Sequence, residues 1–150
     1  MEVVELHRKA MDLADLADAK KSQGLNRDAA VLYRQSLESE QNAAIEARLQ
    51  HVGEPTESVL FRSAASLAYI LNDYREAERL ICLGLAGNPP SEIADELRGL
   101  YDAVSIDRKM EHAMPLNNKK EKENVTITIP VRERGLLDVI IKKFGWACAF

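Results

Sequence analysis

Two stretches of this chain, residues 13–41 and 61–89, superpose at an offset of 48 with small and large residues falling in the same places. Ala17 meets Ala65, Arg27 meets Arg75, Ala29 meets Ala77, Leu32 meets Leu80 and Leu37 meets Leu85, while Asp28 falls on Glu76. Self-similarity over a few tens of residues marks stacked supersecondary units, each too small to bury its apolar face alone. The pattern points to neighbouring copies of one helical unit, the alternative being an unrelated helical bundle with Ala-rich interfaces. Apolar residues make up 46% of the chain but aromatics only 5%. Ala and Leu supply most of the apolar total, which suits close-packed helices better than a sheet.

The periodicity places the helices. Val3, Leu6, Ala10, Leu13, Leu16 and Ala17 recur at the i, i+3, i+4 spacing of an amphipathic helix that Gly24 stops. A second helix begins at Asn26 as N-cap and carries Ala29, Leu32, Tyr33, Leu37, Ala44, Ile45 and Leu49 until the His51–Pro55 break. Thr56 caps a third, with Val59, Leu60, Ala64, Ala65, Leu67, Ala68 and Leu71 apolar. Asn72 and Asp73 turn into a fourth through Ala77, Leu80, Ile81 and Leu85, and Gly87–Pro90 ends it. Ser91 caps a fifth, with Ile93, Leu97, Leu100, Tyr101 and Val104 on one face. Cys82 is expected to be a small buried hydrophobe.

The second copy closely resembles a tetratricopeptide repeat. Phe61 matches that family's early large residue, Ala65 the small residue four places on, Tyr74 the turn tyrosine and Ala77 the small residue opening the second helix. Ile81, Gly84 and Pro89 match the bulky residue, the small residue and the closing proline. The first copy keeps Leu13, Ala17, Gly24, Ala29, Tyr33, Ser36 and Leu37, but Gln41 stands where the proline should. Without that proline the second helix runs on, which accounts for a spacing of 48 in place of the family's roughly 34. The resemblance implies an all-α fold of antiparallel helical hairpins in a right-handed superhelix over residues 1–116, with residues 91–112 as a capping helix.

The same resemblance implies a concave face, lined by the first helix of each pair, that holds a peptide or a partner protein. Met11, Asp15, Asp18 and Lys21 would line it from the first repeat, and Arg62, Ser66 and Tyr69 from the second. One subfamily clamps a C-terminal carboxylate with Lys and Asn. Ala14, Asp18 and Ser63 occupy those places here, so that activity is not implied.

Residues 117–124 are polar throughout and read as a linker, and residues 125–150 as a small appendage. There Val125, Ile127 and Ile129 alternate with Thr126 and Thr128, the period of a half-buried strand. A helical pattern with Leu136, Leu137, Ile140, Ile141 and Phe144 comes next. A lone strand has an unpaired edge, so self-association through Val125, Ile127 and Ile129 into a homodimer is expected, the alternatives being pairing with a partner protein or packing against the chain's own helices. The order strand-then-helix also resembles the first half of a ribbon-helix-helix domain, in which Thr126 and Thr128 would face a DNA groove. A net charge of −4 overall and about +3 from Lys119 onward gives few phosphate contacts. The expected partner is thus a protein, with a DNA-binding or antitoxin-like regulator as the alternative.

No spacing suggests catalysis, a cofactor or a metal. His7, His51 and His112 are far apart and read as surface or boundary residues. Asp12, Asp15 and Asp18 recur on one helix without a loop or further ligand, the pattern of a solvated face. Two cysteines make no disulfide framework, no apolar run approaches a membrane span, and Glu2, Glu5, His7 and Arg8 interrupt any leader-like run. The expectation is a non-catalytic, cytoplasmic interaction protein.

Overall fold

The computed structural model describes residues 2–113, all of whose regular structure is helical: α1 (Val3–Ser22), α2 (Asn26–Leu49), α3 (Thr56–Ile70), α4 (Tyr74–Leu85) and α5 (Ser91–Ala113). The linker 117–124 and the strand-helix appendage 125–150, with Val125, Ile127 and Ile129, lie outside the described residues. No described helix is long and apolar enough to cross a membrane.

The turns are set by how the helices end. After α1, Gly24 takes φ 77°, its N–H donates to the Lys21 carbonyl, and the Leu25 N–H reaches back to the Lys20 carbonyl. This paired closure satisfies two carbonyls that a helix end leaves open. The same closure ends α2 at His51 (φ 52°), with Val52 bonded to Ala47, and α3 at Asn72 (φ 59°), with Asp73 bonded to Ala68. Starts are less regular. Asp73 caps α4, its carboxylate accepting the Glu76 N–H at 3.1 Å. Asn26 and Thr56 are not caps but the first helical residues, the cap positions being Leu25 and Pro55, and Ser91 likewise opens α5. At α3 the Glu54 carboxylate takes the Ser58 N–H instead, at 3.1 Å.

Consecutive helices pack antiparallel, while α2 and α4, and likewise α3 and α5, run in the same direction. His7 pairs with Glu40 and Ser36 with the Ala10 carbonyl across α1 and α2. Gln41 and Arg48 of α2 reach Glu76 and the Leu83 carbonyl of α4, both 35 residues on. Arg62 and Tyr69 of α3 reach Glu96 and Asp107 of α5. Gln41 and Arg48 both lie in the C-terminal part of α2, from the position where the sequence pattern expects a proline onward. The overrun is therefore the piece that joins the first hairpin to the second.

α3 is the centre of the molecule. Ser58 to Ala68 are all buried, without the exposed face that an ordinary surface helix keeps. Such burial requires small side chains toward several neighbours at once, and Ser58, Ser63, Ala64, Ala65, Ser66 and Ala68 supply them. Gly84 of α4 meets the same demand. A Cβ there would stand 3.0 Å from Leu97 Cδ1 and 3.2 Å from Phe61 Cβ, closer than side chains comfortably pack.

Several individual expectations are corrected. Leu16, Ile45, Leu49 and Tyr101 are exposed, Leu49 by 68%, and Cys82 is exposed on α4. The inward stripe of α1 runs through Val3, His7, Ala10 and Ala17, so His7 replaces an apolar residue and is not at the surface. His51 holds a left-handed conformation that a side chain with a Cβ resists by roughly 1 kcal/mol or more. His51→Gly should therefore stabilise the protein by about 1 kcal/mol and raise the thermal midpoint by several degrees. Thermal denaturation followed by circular dichroism checks this. An unchanged or lowered midpoint would show that the side chain contributes something else at the turn.

Candidate interaction surface

The residues expected to line a concave face divide into two sets. On α1, Asp15 is exposed and Met11, Asp18 and Lys21 are half-buried. The Tyr33 hydroxyl donates to the Asp18 carboxylate, so α2 fixes the position of that acid. This half of the face can be reached from solvent. On α3 the picture changes, because α5 lies alongside.

Arg62 is only 5% exposed, and its Nε stands 3.1 Å from the Glu96 carboxylate of α5. Ser66 is also buried, its hydroxyl donating to the Arg62 carbonyl at 3.1 Å. Tyr69 is half-buried and donates to Asp107 at 2.6 Å. Arg62, Ser66 and Tyr69 therefore form the seam between α3 and α5. Where the sequence pattern expects an open groove over α3, Arg62 and Ser66 are buried and Arg62 and Tyr69 face carboxylates of α5. The physical reason is electrostatic: a guanidinium this buried needs a facing carboxylate, and Glu96 provides it.

Two further polar clusters hold the stack. Glu40 has no exposed surface, and both its oxygens lie within 3.0 Å of His7 Nδ1. Beside it the Ser36 hydroxyl donates to the Ala10 carbonyl at 2.7 Å. Arg48 stands with its guanidinium carbon 4.4 Å above the Phe61 ring centre, pairs with Glu57 and donates to the Leu83 carbonyl at 2.7 Å. One side chain thus ties α2 to α3 and α4, using the planar fork and aromatic stacking that Lys could not reproduce. On the outer side of α4, the Arg79 guanidinium bonded to Glu76 holds that carboxyl below its usual range, and the Gln41 amide adds to the effect. Burial, with Asp107 and Glu111 nearby, raises the Tyr74 phenol.

α5 carries one feature that its main apolar face hides. Its inner face is Ile93, Ala94, Leu97, Leu100 and Val104. A second apolar line, Gly99, Ala103, Ile106, Met110 and Ala113, advances by alternating steps of four and three along the same helix. Ile106 and Met110 are each 57% exposed, and among the described residues nothing lies within 4 Å of a Cβ built on Gly99. The spacing was the available signal, since a solvated helix face has no reason to repeat it. Among the described residues no group of three or more His, Cys, Asp or Glu side chains could hold a metal ion. Asp12 and Asp15 point to solvent, while Asp18 is engaged by Tyr33. Comparison with family models, with curated proteins and with solved structures found no match to this chain.

If Arg62 and Glu96 hold α5 in place, Arg62→Ala should destabilise the protein by about 3 kcal/mol, because it strands a carboxylate in the seam. Urea unfolding measures it. A loss below ~0.5 kcal/mol, the range of ordinary surface substitutions, would contradict the structural role.

Proposed function

We propose that this protein is a non-catalytic scaffold of tetratricopeptide-like hairpins that binds a protein or peptide and self-associates through its C-terminal strand. The observation that carries the reading is the stack itself. α2 and α4 run in parallel, as do α3 and α5, and Gly84 of α4 admits the close approach of Phe61 and Leu97 in the manner of repeat proteins. A stack of this kind keeps its polar ties inside and leaves the outer side of its first helix to carry recognition.

The contact face is then narrower than the sequence pattern alone implies. Met11, Asp15, Asp18 and Lys21 of α1 are its members, with an acidic centre suited to a basic or amide-rich peptide. Arg62 and Ser66 support the fold beneath α5 and do not touch the partner. The reading places the protein in the cytoplasm as a homodimer, with Val125, Ile127 and Ile129 of one copy paired to those of another.

Two experiments test it. Reversing charge at Asp15→Lys and Lys21→Glu together should weaken binding of a partner that co-purifies with the wild-type chain by about tenfold or more, with the far-ultraviolet spectrum unchanged. Equal binding would remove the α1 face from the reading. Light scattering on the full chain, compared with a full chain carrying Ile127→Pro, should show a dimer that becomes a monomer, because proline removes a ladder donor. A monomer in both cases would overturn self-association through the strand.

A further inference from the structure

The exposed apolar line on α5 is too regular to be incidental. Scattered surface hydrophobes are normal, but Ala103, Ile106 and Met110 share one face and continue through Gly99 and Ala113 over most of the helix. Its charges are also ordered. Glu92, Asp95 and Asp102 fall on the same side of the helix by the 3.6-residue repeat, toward its first half, while the large apolar residues fill the second half. A surface of this kind fits an amphipathic helix with apolar side chains and a basic far end.

The chain carries such a segment close by. Residues 131–146, outside the described residues, place Leu136, Leu137, Ile140, Ile141 and Phe144 at helical spacing, with Lys142 and Lys143 toward the end. We infer that residues 131–146 of this same chain dock antiparallel on the Gly99–Ala103–Ile106–Met110 face of α5.

Length and charge both favour that occupant. The intervening residues 114–130, seventeen in number (130 minus 113), are enough to span up to roughly 56–61 Å at ~3.3–3.6 Å per residue. The line from Gly99 to Ala113 is about 21 Å long at 1.5 Å per residue. A segment leaving Ala113 can therefore turn back over the same face. A return that sets residue 131 beside Ala113 sets Lys142 beside Asp102, since both pairs of numbers sum to 244. α5 carries six acidic and three basic residues, a net of −3, and residues 131–146 carry four basic and two acidic, a net of +2. Tethering then supplies an effective concentration in the millimolar range, which a separate partner would have to exceed. The inference rests on α5 and not on the α1 face or on strand pairing, so it stands or falls apart from them.

Hydrogen exchange on the full chain tests it. Amides of residues 131–146 should be protected in the wild type, equally at high and at low protein concentration. Ile106→Asn on α5 and, separately, Ile140→Asn in the tail should each speed their exchange by about tenfold or more while α1–α4 keep their protection. Exchange of 131–146 at free-peptide rates in the wild type would overturn the inference, as would protection indifferent to Ile106→Asn. Protection that disappears on dilution together with the dimer mass would assign the face to a second copy instead. The mass measured on the same samples reports strand-mediated self-association independently.

Discussion

The burial of α3 on nearly every side is the constraint on which the rest of the structure depends. A helix so enclosed can carry few large side chains, because each neighbour must approach its backbone closely. Ala64, Ala65 and Ala68 permit the approach, Gly84 extends it to α4, and Phe61, Leu60 and Leu67 fill the space between. The same enclosure dictates the polar arrangement. Ser58 and Ser66 turn their hydroxyls onto the preceding turn, and the guanidinium of Arg62 is met by a carboxylate from α5. Adding bulk at any small position of α3 would push apart helices that are joined elsewhere by specific hydrogen bonds.

The overrun of α2 is the second organising feature. A helix that stopped near Gln41 would leave α1 and α2 as a hairpin with little hold on α3 and α4. Continuing to Leu49 brings Arg48 over the Phe61 ring and against Leu83, and brings Gln41 to Glu76. The continuation of α2 past Gln41 thus joins the α1–α2 hairpin to the α3–α4 hairpin. The extended face that makes the joint is lined by Ala43, Ala44 and Ala47, so close approach is again secured by small residues.

Much of this was legible in the residues. The five described helices and their order came from apolar spacing, and Gly24, Asn72 and Pro89–Pro90 marked real ends. The long α2 came from Gln41 standing in place of proline. What was not legible was which polar residues turn inward. A histidine at position 7 and a glutamate at position 40 look solvated when read one helix at a time, and only their meeting across α1 and α2 makes burial tolerable. Arg62 misled for the same reason, since its partner lies 34 residues further on (96 minus 62) on a helix read as a simple cap. Ile45 and Leu49 failed in the opposite direction: the helix rotates them outward because alanines occupy the seam. The apolar line on α5 was visible in the spacing, but the more hydrophobic face of the same helix masks it.

The parallel register of alternate helices also bears on how the chain is made. Among the described residues the cross-helix ties named above, from His7–Glu40 to Tyr69–Asp107, join residues fewer than forty positions apart. Contacts so near in sequence close small loops, which keeps the entropic cost of each step low and favours rapid folding. α1 and α2 leave the ribosome as a complete pair before α4 emerges, and the overrun of α2 then presents Arg48 to the emerging Phe61. Assembly can proceed by accretion, each new helix finding a finished surface laid down by its predecessors.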